Sequence, residues 1–288
     1  MRFALIATVL VAPALALAGP KKAATPAAGG GPPVGKAPSA CGVKILPLVE
    51  GNSWTYTNVA APQPAEDAIR RIAPEPAKEV TITVKTVDAK KGADTVVTLE
   101  EKVTRDLTKD PKKPILDEHT FTTTITCSDK KLVISPDSFF FAGEPGGYLG
   151  MKVDSIDHPK PTMANSWVLT KGGIGDAQWR EELVMHWTRV PSEGSEAKLG
   201  SGKLELERSY TPEQPEPVTT KLGMYKTDKL GLITTGRVTL DNPHAPQDKP
   251  AELPANWLTT QWFAQDVGLV QSLNSYAHEY QLTAATLK

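Results

Sequence analysis

Apolar and polar residues alternate with a period of two through most of this chain, and no other feature restricts the fold as much. Val80, Ile82 and Val84 alternate with Thr81, Thr83 and Lys85, and Leu204, Leu206 and Tyr210 alternate with Glu205, Glu207 and Ser209. Successive side chains of a strand point to opposite faces, so such runs make half-buried antiparallel strands. Leu183, Met185 and Trp187 alternate with Val184, His186 and Thr188, and the extra apolar residue predicts a strand covered on both faces. The runs are rich in Thr and Val and are separated by turn chemistry at Asp88–Asp94, Lys109–Pro114, Gly143–Gly147 and Asp241–Pro243. About a dozen strands meet these criteria. A helical period is sustained nowhere, and Ala65–Ile72, between Pro64 and Pro74, is the one short helix expected. The fold class is therefore mainly β, a large curved antiparallel sheet or partly closed barrel with few short helices. The 25 prolines fit loops and edge strands, where a missing N–H costs little.

The two ends of the chain differ in kind. Arg2 precedes an apolar run from Phe3 to Leu17 that ends in Ala16-Leu17-Ala18, the layout of a secretory signal peptide over residues 1–18. Its apolar run is too short for a membrane span, so no transmembrane segment is expected in the mature chain, which starts near Gly19 in the periplasm or outside the cell. Residues 19–40 form a tail in which 16 of 22 residues are Ala, Gly or Pro. Such a tail buries too little to offset its ordering entropy and is expected to be a disordered spacer before a β domain at 41–288.

The two cysteines, Cys41 and Cys127, suit an exported chain. Phe121, Thr123, Ile125 and Cys127 share one face of a strand, which turns Cys127 inward, and a Cys41–Cys127 disulfide would tie the start of the domain to its middle. Two buried free thiols are the alternative.

Charge excludes little but does exclude something. Without Arg2 the 32 basic residues become 31 against 33 acidic ones, a net charge of −2. That balance offers no electrostatic case for nucleic acid or an anionic membrane, and the Lys pairs at 90–91, 112–113 and 130–131 read as solvated turn charges. The chain contains no G-x-S-x-G, H-E-x-x-H, G-x-x-x-x-G-K-[ST], G-x-G-x-x-G or EF-hand pattern, so no enzyme activity and no cofactor is expected. Gly172-Gly-Ile-Gly175 reads as a turn. His186 is an ordinary strand histidine or a general base with a distant carboxylate. Asp154, Asp157, His158 and Lys160 gather in a loop with too few ligands for a metal.

Aromatic residues supply the only binding signal. Phe139-Phe140-Phe141, read as a strand, puts Phe139 and Phe141 on one face. With Tyr148, Trp179 and Trp187 they are the candidate residues for an apolar groove, unless the sheet closes over them and they are core. Asn52-Ser-Trp54 and Asn165-Ser-Trp167, with Asn256-Trp257, each open a strand, by duplication of a half-sheet or by chance.

Leu46-Pro-Leu-Val-Glu-Gly-Asn-Ser-Trp-Thr-Tyr56 resembles the opening of a broad group of exported bacterial β-proteins. Their closing aromatic strand and Gly-Leu-Val turn are matched by Trp262–Val270, followed by Glu279-Tyr-Gln-Leu282. The resemblance implies a curved antiparallel sheet in the cell envelope, similar in general shape to lipoprotein-carrier half-barrels, and carries over no functional residue. After Trp262 and Ala264 the apolar register moves to Val267 and Leu269, so Gly268 marks a bend or bulge. Three functional readings follow. One is a non-enzymatic envelope protein that binds an apolar small molecule or lipid. Another is an interaction module for an envelope protein, and a third is a hydrolase of envelope polymers.

Overall fold

In a computed structural model the chain is described over residues 32–60, 76–89, 94–108, 110–128, 131–144, 151–157, 159, 167–170, 173–174, 178–189, 200–241 and 251–288. The signal-peptide segment, the Ala65–Ile72 helix and Tyr148 lie outside these residues. Fifteen strands are present among the described residues: β1 (Ser53–Ala60), β2 (Glu79–Ala89), β3 (Thr95–Asp106), β4 (Leu116–Ser128), β5 (Lys131–Ile134), β6 (Met151–Asp157), β7 (Trp167–Thr170), β8 (Gly173–Ile174), β9 (Trp179–Arg189), β10 (Ser201–Thr220), β11 (Gly223–Leu240), β12 (Ala251–Pro254), β13 (Trp257–Ala264), β14 (Gly268–Asn274) and β15 (His278–Thr286). One four-residue helix, α1 (Phe139–Ala142), joins them.

The strands form a curved, unclosed antiparallel sheet in the order β6-β9-β10-β11-β13-β14-β15-β1-β2-β3-β4-β5-β7-β8, with β12 on β11. Most neighbours are sequential hairpins. The exception that organises the molecule is β1, which pairs with the C-terminal β15 on one side and β2 on the other. The period-two pattern is the burial pattern: Val80, Ile82 and Val84 are buried, as are Leu204, Leu206 and Tyr210. The strand expected to be covered on both faces is covered on one, because Leu183, Met185 and Trp187 are buried while His186 and Thr188 are exposed. Cys41 and Cys127 form the disulfide, with Cα atoms 5.6 Å apart.

The second departure from the sequence reading is Phe139-Phe140-Phe141, which is helical. Ser138 caps the turn, accepting from the Phe140 N–H, and Gly143 ends it in the left-handed region at φ 68°. A Cβ at Gly143 would stand 2.4 Å from Ser272 Oγ, so only glycine fits. A single turn buries all three rings at once, whereas a strand covered on one face would turn Phe140 away from Phe139 and Phe141. Phe139 lies against Tyr56 and Tyr280 with ring centroids 4.9 and 5.5 Å away, and Phe140 meets Trp54 edge-on at 5.6 Å. Arg208 stacks 3.6 Å over Phe141.

This segment is anchored across the inner face of the sheet by polar groups. Glu101 on β3 accepts from Ser138 Oγ (2.6 Å), the Phe139 N–H (3.0 Å) and, on β4, Thr123 Oγ1 (2.7 Å). Burial pushes its carboxyl up to about 7, although the hydrogen bonds from Ser138, Phe139 and Thr123 oppose the rise. Arg208 Nη2 on β10 donates to the Phe141 carbonyl at 2.9 Å, and Gln261 Nε2 on β13 donates to that of Phe140 at 3.1 Å. At the far end Glu144 receives Asn274 Nδ2, His278 Nδ1 (2.6 Å) and the Tyr280 hydroxyl (3.1 Å). Anchors on strands from β4 round to β10 show that the sheet wraps around α1.

Candidate functional site

The candidate site follows from strands that outrun their neighbours. β10 pairs with β9 only from Ser201 to Tyr210, and β11 pairs with β13 only from Asp228 to Thr234. The remaining part of the β10–β11 hairpin, through Thr220 and Gly223, is a two-stranded arm that pairs with no further strand among the described residues. Pro212, Pro215 and Pro217 sit along its β10 edge, the kind of strand that tolerates proline. The register slips between Glu213 and Glu216, a bulge that adds twist to the arm.

Facing the arm is the turn from β13 to β14. Asp266 takes φ 58° and Gly268 φ 111° there. A Cβ at Gly268 would lie 2.9 Å from Trp54 Nε1, so the bend expected at this glycine is also a close approach. Trp54 Nε1 donates to the Val267 carbonyl at 2.6 Å and the Tyr56 hydroxyl to that of Leu269 at 2.9 Å, tying the turn to the core.

The chain before Cys41 builds the third wall. The Gly35 N–H donates to the Asp266 carbonyl at 2.7 Å, and the Lys36 and Ala37 N–H groups donate to the Lys288 carbonyl at 2.6 and 2.9 Å. Pro32 reaches the tip of the arm, its Cγ 3.0 Å from where a Cβ of Gly223 would be. Regular backbone contacts thus begin upstream of Cys41, within the stretch whose composition suggested a spacer throughout.

These three pieces enclose a cleft of about 700 Å³, within the range of ordinary small-molecule sites. Its base is Tyr225, Phe263, Ala264 and Val267, all buried, and its lip carries Met224 and Val34, 69% and 50% exposed. Charge is confined to the rim at Glu216, Lys226 and Asp228. Below the rim, Lys229 lies 3.1 Å from Glu213 and 3.4 Å from Glu216, and 5.3 Å from the centre of the Trp262 ring. Burial pulls the Lys229 ammonium down, but Glu213 and Glu216 outweigh it and hold its pKa above the ordinary value. Burial pushes the Tyr225 hydroxyl up. The lining residues include no histidine, cysteine or serine, and among the described residues no group of three His, Cys, Asp or Glu could hold a metal. Such a surface can hold an apolar molecule; it presents no nucleophile paired with a base.

Of the residues singled out from the sequence, Phe139, Phe141 and Trp187 are elsewhere. Phe139 and Phe141 are core, the alternative left open above, and Trp187 is buried on the inner face of β9. Trp179 begins β9 opposite Tyr210, but its side chain and Tyr148 are outside the described residues. His186 meets Asp157 at 3.3 Å on the exposed face, a surface pair. One sequence signal points to the cleft: three prolines inside a strand-like run mark an unpaired edge, and two of them, Pro215 and Pro217, line it. No helix among the described residues is long and apolar enough to cross a membrane.

No protein-family model and no curated protein matches this chain. Two solved structures are similar to it. A candidate lipoprotein from Parabacteroides distasonis is 14% identical, with a TM-score of 0.49 over 85% of this chain and 99% of its own. A candidate exported protein with a YmcC-like fold, from Bacteroides fragilis, is 13% identical, with a TM-score of 0.45 over 83% of this chain and 96% of its own.

Proposed function

We propose that this is an exported, non-enzymatic envelope protein that holds an apolar ligand, an aliphatic chain or lipid, in the cleft between the β10–β11 arm, the β13–β14 turn and residues 32–35. The observation that carries the reading is an apolar base of Tyr225, Phe263 and Val267 beneath an exposed lip of Met224 and Val34. A methionine left two-thirds exposed beside a valine gains by being covered, and a thioether side chain adapts to chains of varied shape. The signal-peptide pattern at residues 1–18 and the paired cysteines support export, with the tail from Gly19 as the tether of one β domain.

Native mass spectrometry of the mature protein purified from its own envelope tests this. The expected result is an added mass that is lost on organic extraction and is absent or much reduced in Met224→Glu. A bare protein mass, unchanged after exposure to envelope lipids, overturns the reading.

A further inference from the structure

A second arm extends from the other half of the sheet. The β3–β4 ladder continues to Asp106 opposite Leu116. β2 leaves β3 at Thr104, and β5 pairs with β4 only from Ile125 to Ser128. Past Thr104 the hairpin therefore has no sheet neighbour on either side among the described residues. Its end is held shut by the Leu107 N–H donating to the Ile115 carbonyl at 2.9 Å and the Ile115 N–H donating to Thr108 Oγ1 at 2.8 Å.

This closed tip displays what tips usually avoid. Leu107, Ile115 and Leu116 are 44%, 54% and 52% exposed, three large aliphatic side chains at the end of the arm, where it has left the core, with Leu107 and Ile115 joined across the hairpin and Leu116 opposite Asp106. Lys112 and Lys113 are exposed beside them. The carboxylates nearby are already engaged: Asp106 with Lys78 at 3.2 Å, Asp117 with Arg105 and His119, and Glu118 with Lys102 at 2.9 Å. Asp110 Oδ1 accepts the Lys112 N–H at 3.0 Å and shapes the turn. No carboxylate among the described residues forms an ion pair with either lysine.

Exposed aliphatic residues flanked by free ammonium groups match an anionic lipid surface, in which phosphates lie directly above hydrocarbon. A single protruding tip suits that partner better than a protein, since a stable protein interface buries about 800 Å² on each side in a shaped patch. We propose that the β3–β4 arm is a membrane-surface anchor: Leu107, Ile115 and Leu116 enter the acyl boundary of an anionic phospholipid layer while Lys112 and Lys113 meet its phosphates. The near-neutral charge of the whole chain does not oppose this, because the charge that counts lies within a Debye length of the surface. The anchor does not rest on the cleft, which another arm builds.

Co-sedimentation of the mature protein with vesicles tests the anchor, comparing phosphatidylcholine alone with phosphatidylcholine plus phosphatidylglycerol. Binding is expected to the anionic vesicles only, and to weaken with salt. Lys112→Gln/Lys113→Gln is expected to lower the partition about thirtyfold, given the usual gain per basic residue at an anionic surface. Ile115→Ser/Leu116→Ser should abolish binding with an unchanged circular dichroism spectrum, and Met224→Glu should bind as the wild type does. Absence of binding, equal binding to neutral vesicles, or full binding by the lysine variant would overturn the proposal. The last of these would reassign the charge effect to the tail lysines Lys21, Lys22 and Lys36.

Discussion

Strands β1, β3 and β13–β15 and the β10–β11 arm belong to one sheet, yet they treat apolar surface in opposite ways. Over the central strands the inner face is covered by the chain itself, with Phe139, Phe140 and Phe141 set against Trp54, Tyr56 and Tyr280. At the arm, Tyr225, Phe263 and Val267 make an equally apolar base, but Met224 and Val34 stand above it half-open to solvent. What separates the two regions is the path of the chain. The loop after β5 carries polar groups that find anchors on strands all round the sheet, from Glu101 to Arg208 and Gln261. Among the described residues no such loop crosses the arm, which continues where β9 begins opposite Tyr210 and β13 pairs no further than Asp228. Apolar sequence alone therefore does not mark a ligand site; a site arises where strands continue past the elements that would cover them.

The contrast can be broken most directly at Phe139. Phe139→Ala removes a fully buried ring and is expected to cost about 4 kcal/mol in denaturant unfolding. A cost below that of an exposed-site substitution would mean that α1 is a removable lid and not core.

Glu101 gives the next largest effect, and it has a sign. Its ordinary value of 4.5 becomes about 7 in the folded protein. Between those two pH values the unfolded chain has lost the proton and the folded chain keeps it. Stability is therefore fullest below about pH 4.5, falls as pH rises to about 7 and is flat above, a change on the order of 3 kcal/mol from this one group. Glu101→Gln should lose that slope relative to the wild type in unfolding measured from pH 4 to pH 8, whatever its absolute stability. Parallel pH profiles for the two proteins would show that Glu101 stays ionised throughout.

Gly268 lies between the regions, since its turn forms one wall of the cleft and carries the bond from Trp54. Gly268→Ala forces a side chain into φ 111° and against Trp54, and should cost about 2 kcal/mol. If the two regions are coupled through this turn, the same change weakens ligand retention; retention at wild-type level would uncouple them. The smallest effect belongs to the lip. Met224→Glu is expected to stay within about 0.5 kcal/mol of wild-type stability while losing the bound mass, the reverse of Phe139→Ala.

Several of these residues were invisible in the pattern for a physical reason. Glu101, Glu181 and Arg208 occupy buried positions in strands that otherwise alternate. Alternation predicts an apolar residue there, and only a partner from another element makes a charge tolerable. Glu101 needs Ser138 and Thr123, and Arg208 needs Phe141 and, at 3.6 Å, Glu181. The helical turn of α1 was written locally, in Ser138 and Gly143. Three consecutive phenylalanines read as a strand because β-propensity outweighs a cap in a short run. The prolines of β10 were legible as an unpaired edge, but which surface that edge would overhang was not.

The amino-acid sequence by itself determined that the chain makes a long series of antiparallel strands and that the backbone bends at Gly268, whereas it left Cys41 and Cys127 as a pair or as two free thiols. The first two follow from chemistry local to a few residues: period-two burial, and a glycine where the register shifts. The tertiary structure alone decided that the aromatic run is core, that Cys41 pairs with Cys127, that residues 32–35 wall a cleft with the β10–β11 arm, and that Leu107, Ile115 and Leu116 stand exposed at the end of the other arm. The last two outcomes depend on where each strand stops relative to its neighbour. Strand pairing joins residues more than two hundred positions apart, as β1 and β15 do, and no local pattern records it.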